Sequence, residues 1–395
     1  MDKEIVNKSV YDILVNKFVA KYGVEPEVVS YAPGRVEILG NHTDYNEGYV
    51  LSAAINYGTF FAIASTEGEG TEAFLTAGDV MEEATFDAAA PTVSREYMWS
   101  NYVKGVLAGF NKLKPATRGF KAMFLGNIPL GSGLSSSAAL EVAAGLAFSK
   151  FYGIEVSKLD LAKIGQKSEH EYAGVKCGLL DQVSSIYGFK DALVWSDFRT
   201  FDIKNVNISS DVCFLMCNTN AKHALVDGAY NERRQKCEQA AAYFASALDH
   251  PVTALRDVTW MEWLKHKDDM EPLVAKRSAH PIGEDDRVLT AIELLRNNDL
   301  EGFGKLMFES HASSRNYFEN SCPELDVLVD GAKAVPGVLG ARLSGGGFGG
   351  SVVVMVKVED ADAAAVALRN VYANKFSQRC DIRTIKCSEG AHIVK

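Results

Sequence analysis

The sequence predicts an α+β protein of two domains. Its 395 residues exceed one ordinary core. Strand-like runs occur in both halves, and the helical patterns between them suit two packed layers better than one doubly wound sheet. A boundary is expected where the polar stretch 205–211 precedes an apolar strand, giving an N-terminal domain over 1–205 and a C-terminal domain over 206–395. A hydrophobic content of 47% is enough to fill both cores.

Residues 6–22 carry Val10, Ile13, Leu14, Phe18 and Val19 at helical spacing, which predicts an amphipathic helix. A short strand is expected over 28–32. Residues 33–48 then crowd turn formers around Arg35, His42 and Asp44; loops this dense in functional groups are often sites, although a solvated turn with an internal ion pair would read the same way. Strands are expected over 50–64, 73–77 and 119–125, and a helix from Met98 with Trp99 and Tyr102 as core residues. Residues 138–152 are helical and largely apolar, and 159–173 are helical again, carrying Glu169 and His170. Asp181 follows the apolar pair Leu179-Leu180. A carboxylate in such surroundings is costly unless paired, so Asp181 is a candidate base or ligand, or else the N-cap of the next helix. The second half reads as a strand over 212–218, helices over 232–248, 288–297, 300–309 and 323–334, and a strand, helix and strand over 352–358, 361–376 and 383–385.

The run 126–139 joins a glycine and serine loop to a helix start. Gly131 and Gly133 tolerate positive φ and let a backbone approach a ligand closely, while Ser135, Ser136 and Ser137 offer hydroxyls at the helix entrance. Unpaired N–H groups and about half a positive charge gather at a helix start, so a polyphosphate fits, and a capping turn is the alternative. It is not a Walker A loop, because Ser132 stands where the lysine belongs. Gly345, Gly347 and Gly350 match a dinucleotide fingerprint in spacing, but the run Val352 to Val356 behind them reads as a strand instead of the required helix.

Forty-one basic and 51 acidic residues leave a net charge of -10 with no basic cluster, which argues against nucleic acid and anionic membranes as partners. No apolar run reaches the roughly 18 residues of a membrane span, and the first residues lack a signal-peptide layout, so a cytoplasmic location is expected. The seven cysteines form no CxxC pair and are expected to be reduced, mostly buried thiols.

Three ordered motifs resemble those of the GHMP kinases, and among them closely those of galactokinases. They are Gly34-Arg35-Val36 through Gly40-Asn41-His42-Thr43-Asp44-Tyr45, Pro129 through Ala138, and Ser344 through Gly350. The resemblance implies a ribosomal-protein-S5-like N-terminal domain, a ferredoxin-like C-terminal domain and an active site between them. It implies ATP and Mg²⁺ and transfer to the anomeric hydroxyl of a galactose-type sugar; a monomer is expected. By position it implies that Gly131, Ser132, Gly133, Leu134, Ser135, Ser136 and Ser137 wrap the nucleotide phosphates and that Ser136 or Ser137 holds Mg²⁺ with Glu169. It also implies that Asp181 meets the C1 hydroxyl beside Arg35, and that Asn41, His42, Asp44, Gly178 and Tyr230 contact the sugar.

Two positions depart from the family pattern. Asn41 stands where galactokinases usually have a glutamate that reaches the C6 hydroxyl, and Glu37 stands where they commonly have asparagine. An amide can hydrogen-bond a C6 acid that a carboxylate would repel. Galactose is therefore the expected substrate with galacturonate as the alternative; L-arabinose or fucose follow behind, and a non-catalytic sugar and ATP sensor is the reading of another class.

Overall fold

Long runs of β-branched, aromatic and small residues between positions 28 and 65 build the hairpin on which the first sheet rests. In the computed structural model, which describes residues 3–129, 131–222 and 226–395, β1 (Val28–Leu39) pairs antiparallel with β2 (Tyr49–Ser65). Around them lie β3 (Glu72–Ala77), β4 (Glu82–Asp87), β5 (Phe120–Gly126), β6 (Ala192–Asp197) and β7 (Ile203–Asn207). A second sheet holds β8 (Val212–Lys222), β9 (Val338–Ser344), β10 (Gly349–Lys357) and β11 (Asp381–Ile385), in the order β11-β8-β10-β9. The chain then returns to the first sheet, where β12 (His392–Ile393) pairs with β1. Among the described strands only the β3–β5 pairing is parallel, in keeping with the α+β expectation.

The helices Ser100–Leu113, Ser136–Tyr152 and Leu180–Tyr187 cover the first sheet and share its largest core cluster. Strand β10 is buried on both faces: Val352, Val354 and Val356 pack toward helices Pro323–Ala332 and Ala361–Ala373, while Val353 and Met355 join Leu51, Ala53 and Ile55 of β2 in a shared core. That shared core holds the two sheets against one another, so the cleft between them has rigid walls. No disulfide joins the seven cysteines, four of which are buried. No described helix is long and apolar enough to cross a membrane.

Three differences from the sequence reading have physical causes. Strand β1 does not stop at Ala32 but runs through Leu39, with register shifts between Pro33 and Arg35 and between Glu37 and Leu39. Val36 and Ile38 fill the shared core, which draws the intervening Arg35 and Glu37 onto the opposite face. The helix Pro272–Arg296 begins well before the expected 288, because Val274, Ala279, Ile282 and Val288 are buried and outweigh a Pro281 cost of about 3 kcal/mol. Strands β4, β6 and β7 were not legible as separate elements. Leu130 of the second motif lies outside the described residues.

Candidate active site

Arg35 leaves β1 on the face away from the core and meets Asp181, which stands in the first turn of helix Leu180–Tyr187. Its Nε donates to Asp181 Oδ1 at 2.6 Å, its Nη2 lies 2.6 Å from the same oxygen, and its Nη1 donates to the Gly133 carbonyl at 2.6 Å. Ser135 Oγ donates to Asp181 Oδ2 in a short hydrogen bond. One guanidinium therefore ties the acid to the glycine and serine loop. Leu179, not Asp181, is the N-cap, so the capping alternative for Asp181 falls away.

The loop has the backbone its composition requires. Gly131 and Gly133 take φ of 67° and 72°, and Ser135 is held left-handed at φ 53° without making the cap hydrogen bond its position suggests. Ser136 and Ser137 open the helix, where unpaired N–H groups face outward. Two members of the expected phosphate set have side chains turned elsewhere. Leu134 is 1% exposed in the shared core, and Ser132 Oγ donates to the Pro129 carbonyl, so these residues can offer a ligand only their backbone.

A cavity of about 650 Å³ opens beside Arg35 and Asp181. Its wall includes Glu37, Asp44, Gly178, Tyr230 and the third glycine loop at Gly345 and Gly346. Gly178 is there because any Cβ would collide with Asp44 Oδ2. The Asp44 carboxyl is pushed up to about 7 by burial first, then by the charges of Glu37 and Asp181. His42 donates from Nε2 to the Gly346 carbonyl at 3.3 Å and accepts at Nδ1 from Tyr45 Oη at 2.9 Å; burial pushes it down to about 4, so the ring is neutral. Its ring packs against Tyr230 and Phe318, which shapes the cavity without leaving a nitrogen open to it.

Asn41 also lines the cavity, but its amide is turned into the protein. Its Nδ2 donates to Glu37 Oε1 at 2.8 Å and to the Gly345 carbonyl at 2.8 Å, and its Oδ1 accepts from Asn320 Nδ2 at 3.2 Å. Both donors are engaged inside the protein, so no N–H remains for a sugar acid.

A second cavity of about 400 Å³ adjoins Ser136 and Ser137 and is walled by Trp99, Tyr102, Phe124, Ile128 and Leu140. The sequence reading gave Trp99 and Tyr102 to the core. Both are only half-buried, and Trp99 Nε1 donates to Glu82 Oε2 at 3.1 Å. These residues come from three separate stretches, 99–102, 124–128 and 136–140, so no local pattern could have gathered them.

Beside the helix start, three carboxylates crowd one cation. Ser137 Oγ donates to Glu169 Oε1 at 2.9 Å. Burial and then Asp181 raise the Glu169 carboxyl, and burial and then Glu169 raise that of Glu141, whose Oε1 is buried without a partner among the described residues. Arg35 alone does not balance this set. A hard divalent cation, which prefers oxygen ligands and retains water, fits the hydroxyl and carboxylate pair of Ser137 and Glu169.

The family model described as "GHMP kinases N terminal domain" matches residues 101–189, that of "Galactokinase galactose-binding signature" residues 16–65, and that of "GHMP kinases C terminal" residues 291–374. A galactokinase of Haemophilus influenzae is 38% identical over 374 residues, 93% of this chain and 95% of its own. One of Pasteurella multocida is 37% identical over 382 residues, 95% and 97% respectively. Among solved structures, Lactococcus lactis galactokinase complexed with galactose superimposes with a TM-score of 0.90 at 31% identity, covering 97% of this chain and 99% of that one. Methanococcus jannaschii mevalonate kinase shares the fold, with a TM-score of 0.63 at 21% identity over 91% and 98%.

Proposed function

The chain belongs to the galactokinase family of the GHMP kinases and is an ATP-dependent sugar kinase, and from that premise we propose that it phosphorylates D-galactose at its anomeric hydroxyl. The constellation of Arg35, Asp181, Gly133 and Ser135 is the observation that carries this reading. Phosphoryl transfer needs alignment and charge neutralisation more than covalent help. Arg35 holds Asp181 Oδ1 and Ser135 Oγ donates to Oδ2, so the lone pair left on Oδ2 takes the proton of the C1 hydroxyl. Arg35 fixes that carboxylate and stands where it also meets the transferring oxygens. The N–H groups of the loop from Gly131 to Ser137 hold the nucleotide phosphates, and the apolar cavity at Trp99 and Tyr102 takes the base. Ser137, with Ser136 beside it, and Glu169 would hold Mg²⁺, which supplies charge neutralisation between the phosphates. Asp44, Gly178 and Tyr230 shape the sugar side of the cavity, where Asp44 accepts from ring hydroxyls. A monomer acting in the cytoplasm completes the reading.

The galacturonate alternative has no support among these relatives, and the amide that motivated it is engaged inside the protein. ADP release measured with galactose, galacturonate, arabinose and fucose tests the proposal. Galactose is expected to be turned over fastest, and absence of ADP release with every sugar would leave a sensor.

Sugar affinity should depend on pH. The raised Asp44 carboxyl means that the sugar-free fold favours the protonated form, so the stability it contributes is present below 3.8 and is lost as pH rises toward about 7. A hydroxyl donating to Asp44 favours the ionised form instead. Galactose binding without nucleotide should therefore tighten as pH rises to about 7 and level off above it, by at most about tenfold per pH unit. Equilibrium titrations check this; Asp44→Asn should flatten the profile, and a flat wild-type profile would remove Asp44 from sugar binding.

A further inference from the structure

Glu37 carries chemistry that the phosphoryl-transfer machinery does not use. It is 5% exposed, yet it belongs to the wall of the sugar cavity. Its Oε1 accepts from Asn41 Nδ2 at 2.8 Å and from Arg342 Nη1 at 2.8 Å. Among the described residues no donor meets Oε2, and the side chain lines the cavity, which leaves Oε2 for a ligand there. Arg342 is fully buried and cannot reach a ligand, and the Asn41 amide has no free donor. At this position the cavity thus presents an acceptor and a negative charge.

Register places that acceptor relative to the reaction centre. Arg35, Val36 and Glu37 pair without interruption with Ala54, Ala53 and Ser52, so Arg35 and Glu37 project from the same face about 7 Å apart. Arg35 grips the acid that meets the anomeric hydroxyl. Glu37 therefore lines the cavity at a point displaced along β1 from the Arg35–Asp181 pair, on the side where the end of a sugar remote from its anomeric carbon would lie.

We propose that Glu37 is the specificity-determining residue of this site, its free oxygen accepting a hydroxyl at the end of the ring remote from the anomeric carbon and its charge rejecting sugars that carry a carboxylate there. The proposal rests on the sugar-kinase reading above. An ionised acceptor that hydrogen-bonds a hydroxyl discriminates more sharply than a neutral one, and a uronic acid would bring a second carboxylate against the first while Arg342 stays held by Glu37 and the Ile38 carbonyl.

Steady-state ADP release at saturating ATP, with galactose and with galacturonate, tests it on the wild type, Glu37→Gln and Glu37→Asp, with thermal melts to establish folding. Glu37→Gln keeps an acceptor for Arg342 and Asn41 but removes the charge. It is expected to raise the galactose KM by about 10- to 100-fold, with kcat much less affected, and to shift the galactose-to-galacturonate ratio of kcat/KM toward the acid by at least about tenfold. Glu37→Asp keeps the charge and loses reach, so it should lose galactose affinity while still rejecting galacturonate, and it decides the matter if Glu37→Gln does not fold. An unchanged galactose KM together with unchanged rejection of galacturonate in the folded variants would overturn the proposal while leaving the kinase reading intact. A wild type inactive on galactose would overturn that reading, and the proposal with it.

Discussion

Replacing Asp181 by asparagine is expected to lower kcat by about 10²- to 10⁴-fold, the usual contribution of a positioned general base, while galactose affinity changes little. The substitution is nearly isosteric. An amide oxygen still accepts from Arg35 Nε, and the amide nitrogen can donate to Ser135 Oγ, so the geometry around the loop survives. What disappears is the capacity to take a proton from the C1 hydroxyl. Galactose binding by calorimetry and ADP release by a coupled assay separate the two effects. A variant that turns over like the wild type would show that Asp181 only orients Arg35.

Arg342→Met is expected to destabilise the fold by about 3–5 kcal/mol, the cost typical of removing one partner from a buried ion pair. Arg342 lies on β9 and is fully buried; its Nη1 donates to Glu37 Oε1 at 2.8 Å and to the Ile38 carbonyl at 3.3 Å, so it ties the second sheet to the strand that carries Arg35. It also lies in the field of Glu284, which accepts from the backbone N–H groups of Gly40 and Asn41 at 3.0 Å. Burial alone would raise the Glu284 carboxyl; Arg287, His280 and Arg342 together hold it below the usual carboxylate range. Losing Arg342 leaves two buried acids with less compensation. Because the Glu284 carboxyl is depressed, its contribution is present above the unfolded value of 4.5 and is lost as pH falls toward the folded one, so the variant's deficit should be largest at neutral pH. Denaturant midpoints at neutral and mildly acidic pH measure both effects. A midpoint equal to that of the wild type would show that the Asn41 amide suffices to hold Glu37.

Much of the site was legible because its residues are rare in loops for other reasons. Gly131, Gly133 and the three serines announce a backbone cradle before a helix, and Asp181 is conspicuous after two leucines. Gly345 to Gly350 could be excluded as a dinucleotide fingerprint from the strand behind it, and β10 is that strand. The errors arose where local composition and tertiary burial disagree. The run 33–39 is rich in turn formers, yet the core against β2 pulls it into a strand. The helical pattern is seen only from 288, yet buried residues on both sides of Pro281 carry the helix back to Pro272. The aromatic cavity next to Ser136 could not be seen at all, because Trp99, Phe124 and Leu140 become neighbours only when the sheet forms.

By itself the sequence determined the α+β class and the three glycine-bearing motifs, and it singled out Arg35 and Asp181 as candidates, since these depend on residue type and short-range pattern. Only the tertiary structure decided which polar groups remain free. Asn41 and His42 look like sugar ligands in the chain, but their donors are engaged by the third glycine loop, more than 300 positions away, while Glu37 keeps one oxygen open. Hydrogen-bonding capacity is consumed pairwise in space, and no reading along the chain can tell which partner arrives first.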